Sequence, residues 1–248
     1  MGIFFNRDEH VIGDTQLMTH YLNSVSINDL AVKEKAIKIG QSLGASISRI
    51  LLLAKHKLKT TAVDGIVDFA VGYMDCNSNT DSAPFLYPDN KGLSLLLLHM
   101  LGLLGTCKYV IRLFLGDRNN WGYRCEYIVY HNIWRGLKAI NGHFEQIKSS
   151  KIDLKSLSEL IDSGRDYFPS SYRNCMMHYN LTYDGEACIK ETFYKPDISL
   201  YGLVESCFDG KPAGDYYLDL RRYMDKVEAY LNTWFSFDST KILWDLQE

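Results

Sequence analysis

No Walker loop, GxGxxG or HExxH occurs in these 248 residues, and their absence removes whole classes of nucleotide and zinc-protease chemistry. Cysteine is present without any CxxC pair. The six thiols, Cys76, Cys107, Cys125, Cys175, Cys188 and Cys207, therefore read as reduced and partly buried, in a reducing compartment. Proline is sparse, at five, and no long polar tract breaks the chain, so neither disorder nor a linker between modules is expected. Positive charge is not in excess. A formal net charge of -3 argues against indiscriminate coating of nucleic acid, though a local basic site remains open. The first residues, Met1 to Asp8, turn charged where a secretory leader would stay apolar, and Gly2 lacks the Ser or Thr of a myristoylation signal. The expectation is a cytoplasmic chain, in which the Asn180-Leu181-Thr182 sequon goes unused.

What the sequence does contain is helical periodicity. Ser26-Ile27-Asn28-Asp29 has the form of a capping box, and a helix is expected from there to about Lys57. Thr60 to Met74 suits a helix or a short strand and is assigned to helix, while residues 75–92 concentrate turn formers and two prolines. Leu93 to Leu115 reads as a buried helix. Its most apolar part, Leu93 to Leu104, is about 12 residues, where a membrane span needs roughly 20. Further helices are expected over Trp121 to Gln146, Lys151 to Gly164, Tyr172 to Tyr183 and Ala213 to Phe235, with Pro169-Ser170-Ser171 supplying a break and a hydroxyl cap. The fold class expected is all-α, a helical bundle in a single domain over 1–248. Residues 1–92 form an N-terminal helical part or accessory lobe, 93–236 the core and 237–248 a C-terminal tail.

One constellation suits chemistry on a phosphate: Arg173-Asn174-Cys175-Met176-Met177-His178, between Tyr172 and Tyr179. Arg is permanently charged and binds phosphate oxygens bidentately, holding the charge that builds on phosphorus. His titrates near neutrality, so it can take a proton from a ribose 2'-hydroxyl or give one to the leaving 5'-oxygen. Neither step needs a metal or a cofactor. The alternative is a capping Arg and a satisfied structural His. Cys175 and His178 have zinc-ligand spacing but no second couple, and carboxylate pairs such as Asp215 with Asp219 belong to solvated faces. Arg124 and His131, seven apart, share a helix face and could stand behind the reacting groups or touch RNA; Glu126 could orient a cation or be satisfied in the core. Tyr172, Tyr179, Tyr183 and Tyr201 could stack on bases or pack against helices.

With Arg-x4-His, an Asn directly after the Arg, and a motif helix preceding a final long helix, the chain resembles the HEPN family. Arg49 with His56 and Arg124 with His131 also satisfy the loose spacing; position and Asn174 select Arg173 and His178. The resemblance implies a metal-independent endoribonuclease that leaves 2',3'-cyclic phosphate and 5'-hydroxyl ends. His178 would activate the 2'-hydroxyl, Arg173 would stabilise the developing charge, and Asn174 and Tyr179 would support them. It further implies a homodimer with a composite active site, RNA as substrate, no membrane, a toxin or phage-defence role, and an antitoxin or regulatory protein as possible partner. The alternative is a non-catalytic HEPN-like module that binds nucleotide or docks on a partner, such as a nucleotidyltransferase antitoxin. In some members a modified Tyr stands two residues after the His; here that position is Asn180.

Overall fold

A computed structural model describes residues 1–15, 71–76, 84–86, 91–116, 119–147 and 154–244. The chain divides into two compact units, Met1–Pro84 with Asp238–Glu248, and Phe85–Phe237. The expected helix from Ser26 to Lys57, and with it Arg49 and His56, lies outside the described residues.

The first unit holds a four-stranded antiparallel sheet. Its strands are β1 (Gly2–Phe5), β2 (Val11–Asp14), β3 (Gly72–Asp75) and β6 (Leu243–Trp244), in the order β2-β1-β3-β6. Asn6 makes the β1–β2 turn, its Oδ1 accepting the backbone N–H of Asp8 at 3.1 Å and of His10 at 2.9 Å. Ile3, Phe5, Val11 and Met74 are buried, and along β3 burial alternates as a strand requires. Gly72 is fixed by close approach: a Cβ there would run into the side chains of Ile242 and Trp244. The all-α expectation holds in its coarser form: the described residues are mostly helical, and a small antiparallel sheet stands beside the helices. Residues 72–74, assigned to helix, are strand, and Leu243–Trp244, assigned to a tail, pair with Gly72 and Tyr73. Strands of two to four residues are too short to show a period, and their partners lie far away in sequence.

The second unit is helical. Helix α1 (Lys91–Gly105) continues through a π-helical segment, Thr106–Ile111, into α2 (Arg112–Leu115). Helices α3 (Asn120–Ile147) and α4 (Leu154–Gly164) follow, then α5 (Ser170–His178), a two-stranded hairpin of β4 (Thr182–Tyr183) and β5 (Glu186–Ala187), α6 (Leu203–Cys207) and α7 (Ala213–Asn232). Asn119 caps α3, its Oδ1 accepting the N–H of Trp121 at 2.8 Å and of Gly122 at 3.3 Å. Tyr123, Tyr127, Tyr130, Ile133 and Leu137 form the buried face of α3, while Tyr216, Leu220, Tyr223, Val227 and Leu231 form that of α7. Each such side chain contributes about 1.5–3 kcal/mol by leaving water, which lets these long helices form despite their polar outer faces. Among the described residues, one helix, Lys91–Ile111, is long and apolar enough to cross a membrane, and half of its most apolar stretch is buried against the rest of the protein. Leu97, Leu98, Leu101 and Leu104 are its core residues.

Candidate functional site

Helix α5 packs against α3 and carries the Arg-x4-His motif. Pro169, extended and without an N–H to lose, stands at its N-cap, and its carbonyl accepts the Arg173 N–H at 3.0 Å. No serine hydroxyl caps the helix there, contrary to expectation. The helix also ends five residues before the expected Tyr183. Tyr179 adopts a left-handed backbone, with φ 56°, and its N–H closes on the Cys175 carbonyl at 3.2 Å. Beyond it Asp184-Gly185, both at positive φ, turn the chain into the hairpin. Asn174 ties the helix to that hairpin, its Nδ2 donating to the Thr182 carbonyl at 3.1 Å.

Tyr172, Cys175 and Met176 face the core, Arg173 is half-buried, and His178 is exposed as the last helical residue. Five residues turn a helix by about 140° and advance it by about 7.5 Å, so within one chain Arg173 and His178 leave α5 in different directions.

Arg173 projects into a cleft of about 550 Å³ whose opposite wall is one stripe of α3: His131, Trp134, Arg135, Lys138 and Ala139. Phe168 and Ser170 complete it. No carboxylate among the described residues lines this cleft. Among the described residues Arg173, Arg135 and Lys138 form no ion pair, and the buried Nε of Arg173 has no hydrogen-bond partner. The Trp134 indole is held in place, its Nε1 donating to the Ile161 carbonyl at 3.0 Å, with the Lys138 ammonium 5.5 Å from the ring centre. His131 is 2% exposed and its Nδ1 also lacks a partner. Burial, then the charges of Arg135 and Arg173, lower its pKa to about 4, so at neutral pH the imidazole is uncharged. Among the described residues, three cations without a carboxylate partner stand beside two aromatic rings, a combination chemically suited to an anion such as a phosphate.

A second pocket, of about 310 Å³, opens at the other end of α5. Asn120, Trp121 and Arg124 of α3 line it with Cys175, Met176, Tyr179, Leu181, Leu200 and Tyr201. The Arg124 guanidinium stacks on the Tyr179 ring, 3.5 Å from its centre. Leu200 and Tyr201 both hold positive φ, 54° and 56°, a conformation costing of order 1–3 kcal/mol per residue.

Several candidates fall elsewhere. Tyr172 is fully buried, its hydroxyl 2.8 Å from that of Tyr217, so it cannot stack on a base. Glu126 is a core carboxylate gripped by Arg221 through Nε at 2.8 Å and Nη2 at 2.7 Å, and it orients no group of either pocket. Arg124 and His131, expected on one face, serve different pockets: seven positions drift about 20° from a strict face, and α3 passes beneath both ends of α5. Sequence reading missed Trp134, Arg135 and Lys138, although their i+3, i+4, i+7 spacing from His131 marks one helix stripe. No family model, curated protein or solved structure matches this chain.

Proposed function

We propose that this protein is a metal-independent endoribonuclease of HEPN type acting on intracellular RNA, in which Arg173 holds the scissile phosphate and His178 removes the 2'-hydroxyl proton. The oxygen so freed attacks the adjacent phosphorus, the 5'-oxygen leaves with a proton, and a 2',3'-cyclic phosphate remains. The observation carrying this reading is the setting of Arg173: a cation with an unpartnered Nε, in a cleft with Arg135 and Lys138 and, among the described residues, no acid to neutralise them. Because Arg173 and His178 diverge on α5, the complete site is assigned to two copies of the chain, with the second copy's motif histidine facing Arg173. Incubating RNA with wild type, Arg173→Ala and His178→Ala in EDTA tests it. Wild type should yield cyclic phosphate ends, and each variant should lose about 10²–10⁴-fold in rate. No cleavage by wild type, or equal cleavage by all three, rejects the enzyme.

The same divergence favours one second reading, a non-catalytic module that holds RNA or a nucleotide in the basic cleft. Under it wild type and His178→Ala bind RNA equally without cutting, and Arg173→Ala releases it.

A further inference from the structure

The pocket at the C-terminal end of α5 shares no lining residue with the basic cleft among the described residues, and it begins at Tyr179, the residue after His178. Its walls are unusual for a protein surface. Trp121, Tyr179 and Tyr201 are each more than half exposed and line one opening. Such rings left in water mark a place where something flat is received. Two polar groups interrupt them. Asn120 Oδ1 accepts the Leu200 N–H at 3.1 Å, and among the described residues its Nδ2 has no partner. Arg124 lies over the Tyr179 ring, an arrangement that fixes the guanidinium plane and leaves its N–H edge without a hydrogen bond among the described residues. The walls are also held in a costly conformation, since Leu200 and Tyr201 sit in the left-handed region. They are followed by Gly202 at φ 86°, where a Cβ would collide with the Phe193 carbonyl. Backbone strain of this kind persists where surrounding structure enforces it, and it clusters at ligand sites.

We infer that this pocket is a nucleobase subsite that selects guanine in the RNA beside the scissile linkage. The aromatic walls supply stacking, which any base satisfies. Choice comes from Arg124, because a planar guanidinium with a free edge matches two adjacent acceptors, and among the bases O6 and N7 of guanine present that pair. Adenine puts an N6 donor where O6 would be and meets the guanidinium with like polarity. Asn120 Nδ2 adds a further donor, while its Oδ1 is held by the Leu200 N–H.

The inference rests on the ribonuclease reading, and binding separates the two. Guanosine, adenosine, cytidine and uridine 3'-monophosphates and inorganic phosphate are titrated calorimetrically into the full chain, as wild type, Trp121→Ala, Arg124→Met, Arg124→Lys and Arg173→Ala. Guanosine 3'-monophosphate should bind about 10-fold or more tighter than the adenosine form. Arg124→Met, tested beside Arg124→Lys, should erase that preference because it has no donor, Trp121→Ala should weaken all four nucleotides, and neither should alter inorganic phosphate binding. Equal affinities for the four nucleotides in wild type, or a preference that survives Arg124→Met, overturns the subsite. Loss of self-association in Trp121→Ala by sedimentation, with selectivity intact, also overturns it and makes the patch a subunit contact. The phosphate reading is scored apart, by loss of inorganic phosphate binding in Arg173→Ala and by cleavage of RNA by wild type.

Discussion

At the scale of single residues, His131 links the basic cleft to the stability of the helical unit. Its imidazole is buried beside Arg135 and Arg173, and burial foremost, then those charges, lower its pKa to about 4. An unfolded chain takes up this proton near pH 6.5, whereas the folded chain refuses it until about pH 4. Between those values the unfolded state therefore binds more protons, and stability falls as the pH falls. Urea melts from pH 7 to pH 4 should show a loss of about 3 kcal/mol from this group, a loss that His131→Gln removes. A slope unchanged in His131→Gln would rule the group out as the cause. The same contacts predict that Arg135→Gln raises the His131 titration midpoint, read from its imidazole carbon-bound protons by NMR. An anion seated in the cleft should raise it as well, by offsetting the two guanidinium charges.

At the scale of elements, the π-helical segment Thr106–Ile111 interrupts an otherwise apolar helix and turns Lys108 and Tyr109 toward α7. Lys108 Nζ meets Glu228 at 2.5 Å and Asp225 at 2.6 Å, and the Tyr109 hydroxyl donates to Glu228 at 2.9 Å. Burial disfavours the Lys108 charge, but hydrogen bonds to Asp225 and Glu228 outweigh it and hold its pKa above the ordinary lysine value. Glu228→Leu should cost about 3 kcal/mol, the low end for a broken buried pair because Asp225 still answers Lys108. Joining it to Lys108→Met should recover most of that loss, and chemical denaturation of the two variants decides the matter. A π turn leaves no periodic signature, so the sequence predicts α1 without predicting this contact. Long elements were legible: α3 and α7 bury their apolar residues at helical spacing and match the expected ranges closely. Short ones were not. The end of α5 was readable in principle, because Asp184-Gly185 is a hairpin signal, but the apolar residues around it continued the helical pattern. Within the candidate site, Arg173 and the exposed His178 stood out by residue type. Arg135 and Lys138 did not, since charges on α3 look like solvated surface until α5 is laid across them.

At the scale of the whole molecule, the proposed reaction requires two side chains that one chain points apart. A turn of about 140° between Arg173 and His178 leaves a single α5 unable to aim both at one phosphorus atom unless the RNA wraps the helix. A twofold pair of chains resolves this, because antiparallel presentation of two α5 helices sets each Arg173 against the motif histidine of the other copy. Such sharing makes a prediction that no single-chain mechanism makes. Arg173→Ala and His178→Ala proteins, each inactive alone, should regain cleavage when their subunits are exchanged by mild denaturation and refolding together. Each mixed dimer keeps one arginine and one histidine across the shared cleft. Activity should follow the fraction of mixed dimers, measured by tagging one variant and isolating the doubly assembled species. If both groups instead act from one chain, the mixed dimer contains no intact site and stays as inactive as its parents. A monomer in sedimentation at the concentrations where wild type cleaves RNA would remove the shared site outright. The basic cleft of Arg135, Lys138 and Arg173 would then stand alone as a place that holds an anion.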